Sequence, residues 1–182
     1  CVGMDALNAL HSTTFEIDEK HGTNYHERFL EFVKMMQKEN LVIGGAMTDP
    51  KGDRSKGPAE QEDPDLFTRI VDTDDKGVYV SGAKAHQTGC INSHWIILMP
   101  TIRLTENDKD WAIVGAIPAD AEGVIYIYGR QSCDTRSMEE GDIDEGNAKF
   151  GGQEALMILD RVFIPWDKVF MHGEYEFRSE EH

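Results

Sequence analysis

Between residues 78 and 100 the chain reads VYVSGAKAHQTGCINSHWIILMP. An apolar run, Val78-Tyr79-Val80, follows the turn signal Asp74-Asp75-Lys76-Gly77 and breaks at Ser81-Gly82. A polar segment comes next, with Lys84, His86, Gln87, Thr88, Gly89, Asn92, Ser93 and His94, before a second apolar run closes at Pro100. Donors and acceptors gathered between two strands suit the edge of a flat polar ligand. Gly89 lets the backbone approach such a ligand closely. The same composition also suits a plain polar hairpin loop.

A second cluster of polar chemistry lies at residues 48–58, TDPKGDRSKGP. It reads as a solvated turn-rich loop or as a ligand-gripping loop. In the second reading Asp49, Gly52, Asp53 and Ser55 offer backbone and side-chain polar groups, and Lys51, Arg54 or Lys56 meets phosphate. The glycine spacing is neither that of a Walker A loop nor that of a dinucleotide-binding fingerprint.

The remaining reactive residues are sparser. The three cysteines, Cys1, Cys90 and Cys133, are too few and too far apart for a disulfide framework, which favours a reducing, cytoplasmic setting. Cys90 and Cys133 read as small buried hydrophobes. His11, His21 and His26 lack a partner at metal-ligand spacing. Glu154 reads as an active-site carboxylate or as a salt-bridged surface residue.

The elements that must position these groups follow from length and periodicity. The 182 residues suffice for one good core and a small second unit. A net charge of −16 argues against non-specific nucleic-acid binding, which needs a basic face, and against acidic membranes. It leaves room for an anionic ligand at a local basic cluster. Met4, Leu7 and Leu10 lie at helical spacing and predict a short packed helix over 2–11, followed by a charged connection at 15–21. Asn24 with Glu27 predicts a capped helix whose core face carries Phe29, Phe32, Val33 and Met36. After Asn40 the period changes. Strands are predicted at 41–47, 67–72, 77–81, 95–99, 111–117, 123–128 and 156–165, a spacing that suits a barrel or sandwich.

The order of residues carries more than composition does. Tyr79-x-x-Gly82-x-Lys84-x-x-x-Thr88-Gly89 resembles the flavin strand of the acyl-CoA dehydrogenase superfamily. The longer strings at 83–95 and 129–136 (GRQSCDTR) resemble the 4-hydroxybutyryl-CoA dehydratases, in the group that also contains the oxygenase component of 4-hydroxyphenylacetate hydroxylase. The resemblance runs from Cys1 to about Phe177. The fold it implies is α+β, mainly β. A middle β-barrel domain that binds flavin is expected at 41–177. Two helices from the end of a truncated N-terminal helical domain precede it at 1–40. A C-terminal helical domain is expected to be missing, with 178–182 a tail foreign to the family.

What the resemblance implies about function is specific. The family enzyme uses FAD and a 4Fe-4S cluster to dehydrate 4-hydroxybutyryl-CoA to crotonyl-CoA through a radical, and it isomerises vinylacetyl-CoA. The implied partners are acyl-CoA substrates and, at full length, copies of the chain in a homotetramer, with neither nucleic acid nor membrane. Thr88 is expected near flavin N5, and His86 to stack on the flavin or bond to it unless it is a satisfied loop histidine. Gln87 and the 49–55 loop (Asp49, Lys51, Gly52, Asp53, Arg54, Ser55) are expected at the cofactor, with Lys84 structural or phosphate-facing. Asn92, Ser93 and His94 are candidates for the same cleft. Thr88 and Glu154 are the catalytic candidates, and Cys1 is the metal candidate, as the second cysteine of the family's cluster pair. The other cluster ligands are absent, so the chain alone is expected to hold no cluster and to be inactive. Two alternatives stand beside this reading: a flavin-dependent aromatic monooxygenase, and a non-catalytic fragment that binds flavin or associates with other chains.

Overall fold

The computed structural model describes residues 2–128 and 154–177. Two helices come first, α1 at Val2–His21 and α2 at Tyr25–Lys38. Ala6, Leu10, Thr14 and Ile17 form the buried stripe of α1, and Tyr25, Phe29, Phe32 and Met36 that of α2. Both stripes step by three or four residues, as one face of an α-helix requires.

Two expectations about this region need correction. Residues 15–21 are helical rather than a connection, because Ile17 extends the buried stripe of α1 by another turn. Met4, expected in that stripe, is 53% exposed. The cap of α2 also differs from the expected one. Asn24 occupies the N-cap position, but its side chain makes no capping bond and its amide donates to Glu27 Oε2 at 2.9 Å. Asp18, on α1, supplies the cap. Its carboxylate accepts the backbone N–H of Tyr25 at 2.9 Å and of His26 at 2.8 Å, and the Thr23 hydroxyl at 2.5 Å. Asp18→Ala therefore leaves two donors of the first turn unsatisfied and unties the two helices. The expected loss is about 1–2 kcal/mol, read as a lower urea midpoint at unchanged slope. An unchanged midpoint would mean that water replaces the carboxylate without cost.

Eight strands follow: β1 (Ile43–Ala46), β2 (Arg69–Thr73), β3 (Gly77–Lys84), β4 (Trp95–Leu98), β5 (Ile113–Pro118), β6 (Val124–Tyr128), β7 (Ala155–Pro165) and β8 (Val169–His172). β8 was not among the predicted strands. The mainly β domain behind two helices is as expected, and its strands form two four-stranded sheets, β1-β4-β5-β8 and β2-β3-β7-β6. Every pairing is antiparallel except β1 with β4. The helices cover one face of the first sheet, where Phe29 and Phe32 meet Phe170, each pair of rings 5.6 Å apart, and Phe32 meets Trp95 at 5.5 Å. The other face of that sheet meets the second sheet, since a Cβ built on Gly115 of β5 would lie 3.2 Å from the Ile164 side chain of β7. That placement explains why β5 is buried on both faces, with only Pro118 partly exposed. The outer face of the second sheet carries exposed Ile125, Ile127 and Phe163.

β3 and β7 form the centre of the second sheet and position the site. Their register shifts between Val80 and Gly82. At the shift Arg161 adopts φ 51° and its N–H donates to Ser81 Oγ at 3.0 Å. This β-bulge bends the pair. Beyond it the strands run on to Lys84 and Ala155, so the next residues of the first and the preceding residue of the second emerge side by side.

Candidate functional site

The chain leaves β3 through Ala85, His86, Gln87, Thr88 and Gly89. His86 and Gly89 have left-handed backbones, φ 57° and 75°. The residues between are pinned rather than loose. Gln87 N–H donates to Ala155 O at 2.9 Å, at the start of β7. Its buried side chain donates to Thr48 O at 3.1 Å and also to Ala85 O. Ala85 N–H donates to Thr48 O at 2.8 Å. These bonds turn the side chains of His86 and Thr88 outward, where both are exposed.

Glu154, the residue before β7, meets both. Thr88 Oγ1 donates to Glu154 Oε1 at 3.3 Å, and His86 Nδ1 lies 3.5 Å from Oε2. The His86 and Glu154 side chains are 69% and 57% exposed, and an ion pair that exposed adds little to stability. The arrangement is a surface constellation of hydroxyl, imidazole and carboxylate. The hydroxyl that donates to Glu154 keeps lone pairs to accept a ligand N–H, and the carboxylate is open to take up or return a proton. A Cβ built on Gly89 would meet nothing within 4 Å, so space lies open beside the hydroxyl.

The loop after β1 approaches the same strand end. Asp49 is 7% exposed, with Oδ1 2.6 Å from Lys84 Nζ and Oδ2 accepting from Thr101 N–H at 3.3 Å and Oγ1 at 3.2 Å. Its carboxylate is thus engaged inside the protein. Burial pushes the Lys84 ammonium below its ordinary pKa, and the charge and hydrogen bond of Asp49 pull it back. Asp53 Oδ1 accepts the backbone N–H of Ser55 at 3.0 Å and its hydroxyl at 2.7 Å, which holds its carboxyl below the usual range. Among the described residues, exposed Lys51 and Arg54 make no ion pair, whereas Lys56 lies 3.6 Å from Asp53 Oδ2.

Two residues without a predicted role shape this loop. Gln61 grips it from both ends of its amide, accepting Asp53 N–H at 3.0 Å and donating to Asp53 O at 2.9 Å and Lys56 O at 3.2 Å. Asp108, 2% exposed, accepts from Ala59 N–H at 3.0 Å and from Thr105 N–H and Oγ1 at 2.8 and 2.6 Å. Other expected residues fall elsewhere. His94 Nδ1 accepts Val42 N–H at 3.0 Å, and Ser93 Oγ donates to Gly89 O at 3.0 Å, so both brace the loop. Cys1, Cys133 and the 129–136 string lie outside the described residues.

A protein-family model described as "4-hydroxyphenylacetate 3-hydroxylase N terminal" matches residues 1–171. The chain belongs to this family. Within the 4-hydroxyphenylacetate 3-hydroxylase N-terminal family, it is 62% identical over 178 residues to a 4-hydroxybutyryl-CoA dehydratase/vinylacetyl-CoA-Delta-isomerase of Clostridium aminobutyricum. That match covers 97% of this chain and 36% of the relative, so the chain spans about a third of the relative's length. A solved oxygen-tolerant 4-hydroxybutyryl-CoA dehydratase from N. maritimus is 92% identical, with a TM-score of 0.87 over 98% of this chain and 36% of that one. The oxygenase component of 4-hydroxyphenylacetate 3-monooxygenase, solved with FAD, shares the fold at a TM-score of 0.74 and 22% identity, over 96% of this chain and 35% of that one.

Cys90 lies two residues beyond Thr88 and is fully buried. Burial pushes its thiol up to about 11. It is therefore a packing residue in this family member, not a nucleophile, because the thiolate is the reactive form. Peptide mapping after iodoacetamide treatment at pH 8 is expected to find Cys90 unlabelled in the native protein and fully labelled in denaturant. Rapid native labelling would place the thiol at the surface instead.

Proposed function

We propose that this chain forms the flavin-binding part of a 4-hydroxybutyryl-CoA dehydratase that also isomerises vinylacetyl-CoA. The observation that carries the reading is 62% identity to a dehydratase/isomerase across 97% of the chain. The site geometry fits a flavin. A threonine hydroxyl and an open glycine stand at the end of β3, and a loop carrying exposed Lys51 and Arg54 follows β1. In this reading His86 and Thr88 face the ring, and buried Gln87 holds the turn that presents them. The 49–55 loop takes the rest of the cofactor, Gly52, Asp53 and Ser55 through polar groups and Lys51 and Arg54 through charge. When bound, the flavin supplies the electron transfer that makes an unactivated C–H bond of the acyl chain acidic.

The chain's own residues do the remaining work. With flavin bound, Thr88 would offer its hydroxyl to the ring edge, beside the Glu154 carboxylate to which it donates here. Glu154, oriented by Thr88 and His86 through its two oxygens, is the carboxylate placed to hold or move a substrate proton. The described residues contain no group of three or more His, Cys, Asp or Glu side chains placed to hold a metal ion. Among them no helix is long and apolar enough to cross a membrane.

The test supplies FAD anaerobically and follows conversion of 4-hydroxybutyryl-CoA to crotonyl-CoA by the intact protein that carries this sequence. FAD uptake with crotonyl-CoA formation is expected. Hydroxylation of a phenol with reduced FAD and oxygen, without crotonyl-CoA formation, would move the protein to the monooxygenase branch.

A further inference from the structure

We propose that Lys84 is a positioning residue for the flavin site, fixing the 49–55 loop against the His86–Thr88 turn through Asp49. The inference rests on the flavin reading above and adds a residue that never touches the ligand.

Lys84 is 1% exposed at the end of β3. An ammonium group has three protons to donate. Here they meet Asp49 Oδ1 at 2.6 Å, Met99 O at 2.7 Å and Met47 O at 3.2 Å. All three donors are used inside the chain, which leaves none for a phosphate. Thr101 completes the node, donating to the second Asp49 oxygen and sharing Met47 O. The ends of β1, β3 and β4 thus meet at one nitrogen. The two proposed flavin segments start from this node, one just beyond Asp49 and the other just beyond Lys84. Thr48 O ties them a second time, through Ala85 N–H and the Gln87 amide.

Stability alone does not account for such a node. A buried ion pair is often matched or surpassed by apolar residues of similar volume. What an apolar pair lacks is direction. Three hydrogen bonds to fixed acceptors set the spacing of three backbones, and a site that must meet a rigid ring depends on that spacing.

The experiment compares the intact protein with Lys84→Met, with the double variant Lys84→Met/Asp49→Leu, and with Thr101→Val. FAD affinity and the visible spectrum of bound FAD are measured beside the urea midpoint. Lys84→Met strands a buried carboxylate and is expected to lose both stability and FAD. The double variant removes both charges and is expected to keep the wild-type midpoint, yet bind FAD about ten-fold more weakly or worse with an altered spectrum. Thr101→Val keeps the ion pair and the fold and is expected to weaken FAD binding a few-fold. It decides the matter if the double variant does not fold. Wild-type affinity and spectrum in a folded double variant, or in Thr101→Val when only that variant folds, overturn the positioning role and leave the flavin reading standing. A wild-type protein that takes up no FAD overturns the flavin reading, and this inference with it.

Discussion

Thr88→Val is expected to leave the fold intact, shift the potential of bound flavin and slow turnover by roughly ten- to a hundred-fold. The side chain is exposed and its only described bond runs to Glu154, so the isosteric valine costs the fold little. On the flavin reading proposed above, it removes a hydrogen bond to a group whose charge changes during reaction, worth roughly 1.5–3 kcal/mol. It also releases one of the two contacts that orient Glu154. Redox titration and crotonyl-CoA formation in the intact protein read the two effects separately. Wild-type turnover at an unchanged potential would remove Thr88 from the site.

Gly82→Ala is expected to be strongly destabilising. Gly82 has φ 131°, in a region that side chains other than hydrogen hardly enter. A Cβ there would lie 2.4 Å from Phe67 O and 2.6 Å from Thr68 Cα, both backbone atoms that cannot swing aside. Backbone strain and overpacking together cost roughly 3–5 kcal/mol. The loss should appear as a large drop in urea midpoint. Gly89→Ala is the control, since a Cβ at that position meets open space and only the left-handed backbone resists it, at about 1–2 kcal/mol. A Gly82 variant no less stable than the Gly89 variant would mean that the bulge slides to relieve the clash.

The sequence was readable where local pattern and tertiary burial agree. β3, β4 and β6 stand out as apolar runs between turn signals, and α2 as a helix with aromatic residues at three- and four-residue steps. Where burial recruits residues without a local pattern, the reading stopped short. The last turns of α1 carry one buried hydrophobe, Ile17, among polar neighbours, and Thr14 occupies a core position by donating to Leu10 O. β8 follows β7 after only a 3-10 turn at Trp166–Lys168, so the last predicted strand stopped at Pro165 and β8 was missed.

The site divides in the same way. His86 and Thr88 were singled out because they sit within one compact string, and the structure brings Glu154, a candidate by position, against both. The pairing of Lys84 with Asp49, the grip of Gln61 on the 53–56 backbone and the bond from Asp108 to Ala59 each join segments brought together only by folding. No spacing rule announces such contacts.

The parallel pairing of β1 with β4 also governs the order in which the molecule can be made. β2 and β3 are joined by a tight turn and can pair early, because little chain entropy is lost in closing a short loop. β1 has no such neighbour. Its partner β4 arrives only after that entire hairpin has been synthesised, and β8, on which α2 rests, follows every other described strand. α2 is therefore made well before the strand on which it rests. Until then Phe29 and Phe32 lack the Phe170 ring that covers them, and an apolar helix face stays open during synthesis.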